Sequence, residues 1–217
     1  MIRKFALAVA LLCGLGMGGA RAAETPSSFV LGLGNQVLTL LDKEKTVGED
    51  ASACFRKLLV ADFDIATIGR FVLGNTWRVA TSEQQKAYMA LFESLVVDIY
   101  NDRFQDYSGE TFEVLGEMPE NARDTRVRSR IVRPGNQPVN VEWRVRAKDG
   151  AFRIVDVSVE GVSMSLTQRS DFSAIIDRNG GRMQSLIDRL ADDRKKRDET
   201  QAAARKDVPP RPQTACP

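Results

Sequence analysis

The sequence predicts an α+β domain, with helices packed on one face of a curved antiparallel sheet. Three observations predict it. Residues 27–107 carry apolar side chains at helical spacing, residues 111–159 switch to alternation of apolar and polar, and residues 171–190 return to helical spacing. Helices and strands grouped apart along a chain indicate a sheet covered by helices, not a parallel α/β sheet.

The first 22 of the 217 residues read as a secretory signal peptide. Arg3 and Lys4 precede the apolar run "FALAVALLCGLGMGGA", and "ARA" at residues 20–22 offers small residues where a signal peptidase cuts, placing cleavage after Ala22. A retained membrane anchor is the weaker reading, because the run is short for a span and rich in glycine. Leu12 stands where a lipoprotein needs a small residue before Cys13. Cleavage removes Arg3, Lys4 and Arg21 and no acid, so the net charge falls from +2 to −1. A near-neutral chain argues against general nucleic-acid binding. About 195 residues then remain, enough for one domain with a substantial core.

Val30, Leu33, Val37, Leu38 and Leu41 mark an amphipathic helix from Ser27 to Leu41, and residues 50–60 a shorter one. Asp62 is the expected N-cap of the next helix, with Ile65, Ile68 and Val72 on one face and Gly74-Asn75 as its stop. The strongest helix is "TSEQQKAYMALFESLVVDIYNDRFQDY". Ser82 and Gln85 form its expected capping box, and a broad stripe runs through Tyr88, Leu91, Phe92, Leu95, Val96, Ile99, Tyr100, Phe104 and Tyr107. Strands are expected at 111–118, 125–132, 139–147 and 151–159. In "TRVRSRIVRPGNQPVNVEWRVR" the apolar residues Val127, Ile131, Val139, Val141, Trp143 and Val145 share one parity and arginines dominate the other, so the arginine parity is the expected solvated face. Pro134-Gly135-Asn136 and "KDG" at 148–150 read as hairpin turns. Val162, Met164 and Leu166 continue the alternation as a short run. Helical spacing resumes at Asp171, breaks at Asn179-Gly180-Gly181, and returns with Met183, Leu186, Ile187 and Leu190. Residues 192–217 turn to charge, alanine and proline and read as a frayed helix end and disordered tail, leaving 23–191 as the folded domain.

Histidine is absent, which removes Ser-His-Asp and Cys-His nucleophile systems and histidine metal sites together. "GLGN" at 32–35 lies in a helical pattern and lacks the third glycine and preceding strand of a phosphate loop. Cys54, among Phe55, Leu58 and Leu59, reads as a small buried residue. Cys216 lies in the proline-rich tail, so two unpaired thiols are expected. Asp156 is expected to pair with an arginine. The six arginines between 126 and 146 read as a charged sheet face that blocks edge association, or as a docking surface for an acidic partner or anionic headgroups. The wide apolar faces fit either a close-packed core or a slot for an apolar ligand, and periodicity leaves both open.

The segment "VEGVSMSLTQRSDFSAIIDRNGG" (159–181), preceded by "FRIVDV" (152–157), resembles the C-terminal signature of the MlaC, or toluene-tolerance auxiliary, family of periplasmic lipid-binding proteins. "DFD" at 62–64, "VLGNTWRVAT" at 72–81, Gln84-Gln85, Phe92 and Tyr100 stand in the family's order, so the resemblance spans residues 28–190. It implies an NTF2-like α+β fold whose helices and sheet enclose an apolar cavity, with phospholipid acyl chains inside and the headgroup near the mouth. It implies a monomeric, non-enzymatic carrier without cofactor or metal. The implied partners are the MCE-domain ring of an inner-membrane ABC transporter and an outer-membrane lipid-handling lipoprotein complex. A related branch accompanies hopanoid biosynthesis, which keeps a polycyclic lipid as alternative cargo; an ABC-type receptor for a small polar solute is the reading from another class. Combining inward strand parity with the long-helix stripe, the expected lipid-binding residues are Leu95, Ile99, Val127, Ile131, Val141, Trp143, Val145, Val162 and Met164. A charge introduced at Val141 or Val162 is expected to empty the protein of lipid.

Overall fold

Seven helices and five strands follow one another in the computed structural model, which describes residues 24–47, 52–104, 107–205 and 216. They are α1 (Pro26–Val47), α2 (Ser52–Asp62), α3 (Ile65–Leu73), α4 (Asn75–Val79), α5 (Ser82–Phe104), β1 (Thr111–Pro119), β2 (Asp124–Val132), β3 (Val139–Lys148), β4 (Ala151–Val159), β5 (Val162–Ser163), α6 (Met164–Arg178) and α7 (Met183–Arg205). The signal peptide expected at 1–22 lies outside the described residues. No described helix is long and apolar enough to cross a membrane.

The strands form an antiparallel meander in the order β1-β2-β3-β4-β5. Alternation sets the register: Val127 faces Trp143, Ser129 faces Val141 and Ile131 faces Val139. Asp149 and Gly150, with φ of 50° and 77°, make the tight β3–β4 turn that "KDG" announces. Two register shifts, at Val114/Gly116 and at Arg144/Val145, bend the sheet and concentrate its curvature.

The arginine face is not simply solvated. Arg126 reaches Glu120 and Glu142, Arg130 reaches Glu113, Arg144 reaches Glu120, and Arg146 makes two bonds to Asp124. Arg126, Arg130, Arg144 and Arg146 are thus neutralised within the chain. The exposed pairs contribute little stability each, but they leave less free charge for an outside partner.

Several boundaries differ from expectation, each for a local reason. Asp62 closes α2; the N-cap of α3 is Asp64, whose carboxylate accepts from Thr67 N–H at 3.0 Å. Asp64 also donates its own N–H to Ile154 O at 2.9 Å, which ties the start of α3 to β4. The capping box of α5 is Thr81–Gln84, with reciprocal bonds of 3.2 Å. Gln85 has other work: its amide donates to Trp77 O at 2.9 Å. Gly74-Asn75 ends α3, yet the short α4 begins at once. The run 162–166 is a strand for two residues only, because Ser163 accepts from Leu166 N–H and starts α6 seven residues before Asp171.

The tail expected from residue 192 is helical through Arg205. It lies along α5, where Arg194 donates to Ser94 Oγ at 2.6 Å and Arg197 pairs with Asp98 at 3.7 Å. Ion pairs one turn apart, such as Arg189–Asp193 at 2.7 Å, support it in place of apolar burial. Residues 206–215 lie outside the described residues. The expectation of two unpaired thiols is also corrected: Cys54 and Cys216 form a disulfide with 5.1 Å between their Cα atoms. Cys54 is buried against Leu40 and Leu58, and the bond brings the C-terminal end onto α2.

Candidate functional site

The sheet and the helices do not close on each other everywhere. Under the N-terminal end of α1 they do: Val30, Val127 and Val145 are almost fully buried, with Phe29, Phe112 and Phe152 packed around them. Among the helices a second cluster closes round Tyr88, Phe92, Phe172 and Leu186. Between these two regions lies a cavity of about 480 Å³. That volume falls within the range of roughly 300–1,000 Å³ typical of small-molecule sites.

The walls come from nearly every element. α1 contributes Leu33, Gly34, Val37, Leu38 and Leu41; α2 contributes Phe55, Leu58 and Leu59; α3 contributes Ile65, Ile68 and Val72. α5 adds Phe92, Val96 and Ile99, spaced by four and three residues so that one helical face looks inward. The sheet supplies Phe112, Ile131, Val139, Val141, Trp143, Val157 and Val159, and α6 supplies Met164, Ser165, Thr167 and Gln168. Among the described residues, the charged ones in the lining are Glu110, Arg133 and Asp156.

Two details keep the interior apolar. Trp143 presents its ring to the cavity while its indole N–H donates to Ser129 Oγ at 2.8 Å, and Ser129 in turn donates to Val141 O at 3.0 Å. The polar handle of the tryptophan is therefore satisfied inside the sheet. Gly34, from the "GLGN" segment, lies against the Phe112 ring so closely that a Cβ would sit 2.3 Å from it. Only glycine lets α1 approach β1 here.

Asp156 is buried, and its partners differ from the arginine expected. Its carboxylate accepts from Val157 N–H at 2.9 Å, Ser165 N–H at 3.2 Å and Ser163 Oγ at 2.7 Å, so it serves the first turn of α6. The extra residue Val155 at the β3–β4 register shift breaks the alternation just before Asp156, which stands opposite Arg144 in the ladder but gives its carboxylate to the start of α6.

Of the nine residues expected to line the site, Ile99, Ile131, Val141, Trp143 and Met164 do so. Val127 and Val145 share their strand face but lie in the closed cluster under the start of α1. Leu95 packs into the helical cluster. Val162 is 55% exposed, because β5 ends immediately and turns its side chain to solvent. The contributions of α1, α2 and α3 were missed. Their apolar stripes were visible, but a stripe does not say whether it meets a side chain or a void.

Compared with known proteins, residues 33–192 match the family described as MlaC protein. Among solved structures, a phospholipid-binding protein from Ralstonia solanacearum, determined in complex with a phospholipid, aligns with a TM-score of 0.69 at 22% identity. The alignment covers 78% of this chain and 96% of that one, so the two share their α+β fold almost throughout the smaller chain.

Proposed function

This chain belongs to the MlaC family, and from that premise we propose that it is a phospholipid carrier of the periplasm, shuttling lipid between inner and outer membranes. The observation that carries this reading is the apolar cavity of about 480 Å³ between the sheet and α1, α2, α3 and α5. The phospholipid held by the Ralstonia solanacearum protein of the same fold supports phospholipid as the cargo class. An interior of leucine, isoleucine, valine and phenylalanine disfavours a small polar solute, whose hydrogen-bonding groups would lose water without replacement.

The physical need for such a carrier is large. Exposing two acyl chains to water costs on the order of 20 kcal/mol, at about 0.8 kcal/mol per CH₂ and roughly 15 groups per chain. Unassisted crossing of an aqueous compartment is correspondingly slow. A protein that buries the chains removes this cost without a nucleophile or acid–base pair, so its work is binding and release. In the periplasm the carrier would exchange cargo with an MCE-domain ring on an inner-membrane ABC transporter and with an outer-membrane lipoprotein complex. The Cys54–Cys216 disulfide supports an oxidising compartment.

Transfer between vesicles tests the proposal. The purified chain is expected to move fluorescent phospholipid from donor to acceptor vesicles in proportion to its concentration. No transfer above the protein-free rate would contradict it.

A further inference from the structure

Among the described residues, the cavity lining holds one cation, Arg133. Its placement follows from β2. Residues 127, 129 and 131 face the helices, and 133, just past the end of the strand, keeps that parity. Arg126, Arg130, Arg144 and Arg146 lie on the opposite face and are each engaged by a carboxylate.

Arg133 is held differently. Its Nε lies 3.9 Å from Glu110 Oε1, an ion pair too long for a hydrogen bond. Glu110 takes its hydrogen bonds elsewhere, from Ser108 N–H at 2.8 Å and Ser108 Oγ at 3.2 Å. Burial pushes the Glu110 carboxyl up, but the Ser108 bonds and the Arg133 charge outweigh it and hold its pKa below the ordinary value. Glu110 is therefore a fixed anion on the Nε side of the guanidinium. The terminal nitrogens of Arg133 make no hydrogen bond among the described residues, and half of the side chain is exposed. A guanidinium edge with two free N–H groups matches a phosphate in shape and charge.

We propose that Arg133 anchors the phosphate of a lipid whose chains fill the cavity, with Glu110 positioning the guanidinium. The proposal rests on the lipid-carrier reading and goes beyond it: it fixes the end at which the headgroup sits and makes phosphate a requirement for tight binding. Glu110, and Asp42 whose charge acts on nearby Tyr107, keep the local field from being strongly positive. A bare anion therefore gains little here, and the phosphate has to arrive attached to chains that bury themselves inside.

The test uses the full chain freed of lipid and titrated with phosphatidylethanolamine and with diacylglycerol of the same chains. The wild type is expected to prefer the phospholipid by roughly ten- to a hundredfold, the worth of hydrogen bonds to a charged group. Arg133→Gln should bring that ratio close to one, and Arg133→Lys should restore part of it. An unchanged ratio in a folded Arg133→Gln protein would overturn the assignment while leaving the carrier reading intact. If the wild type binds neither lipid, the carrier reading itself falls. Excess inorganic phosphate is expected to leave phosphatidylethanolamine bound; displacement by it would contradict a lipid-borne phosphate.

Discussion

Asp124 is almost fully buried at the start of β2, where Arg146 donates to it through Nε at 2.6 Å and Nη2 at 2.8 Å. These bonds lower its pKa below the ordinary 3.8, against the opposing effect of burial. A depressed carboxylate pKa stabilises the fold fully above the unfolded value, and that stability is lost as pH falls through the folded one. Asp124→Asn should therefore cost about 1–3 kcal/mol near neutral pH, the lower end for a broken pair because Arg146 keeps some access to water. Urea titrations should show the difference between wild type and variant shrinking below pH 3.8, the ordinary value. Nothing in the sequence singled out this pair. Arg146 belongs to a parity that also holds Arg126, Arg128, Arg130 and Arg144, and only the strand register decides which of them meets Asp124. The same limit applies to the candidate site. Parity correctly put Val127, Ile131, Val141 and Val145 on one face, but the position of the void along that face depends on where Phe29, Val30 and Phe152 fill it.

Among the elements, the four long strands were legible to within a residue because alternation and turn chemistry agree there. α6 was not legible at its start. Val162, Met164 and Leu166 alternate like a strand, but Ser163 caps the helix and Asp156 takes the Ser165 N–H, and these bonds win over the pattern. α5 shows the opposite difficulty. Its stripe is wide because it serves two layers: Phe92, Val96 and Ile99 face the cavity, while Leu91 meets the α7 side. At 1.5 Å per residue its 23 residues span roughly 35 Å, long enough to form a wall of the cavity and a bed for α7. The helical extension of α7 escaped sequence reading because polar contacts with Ser94 and Asp98 hold it, and such contacts leave no apolar periodicity.

Across the molecule, the Cys54–Cys216 bond closes a loop of 162 residues, so it restricts most of the unfolded chain. Cys216→Ser is expected to lower stability by about 2–5 kcal/mol in denaturant titrations, with little further loss on adding reductant to the variant. A variant as stable as the oxidised wild type would show that the bond constrains nothing outside the tail. The pairing was hidden from the sequence because it depends on the C-terminal end returning to α2, a long-range event that composition does not report.

On the proposed reading, the space between sheet and helices holds a phospholipid. Native mass spectrometry of the protein purified from membrane-containing cells reads this occupancy. The wild type is expected at a mass raised by that of bound phospholipid, with the same increment in Val162→Glu, whose side chain faces solvent, and none in a folded Val141→Arg. A wild type at the bare mass of its chain, or a Val141→Arg protein carrying its full complement of lipid, would contradict it.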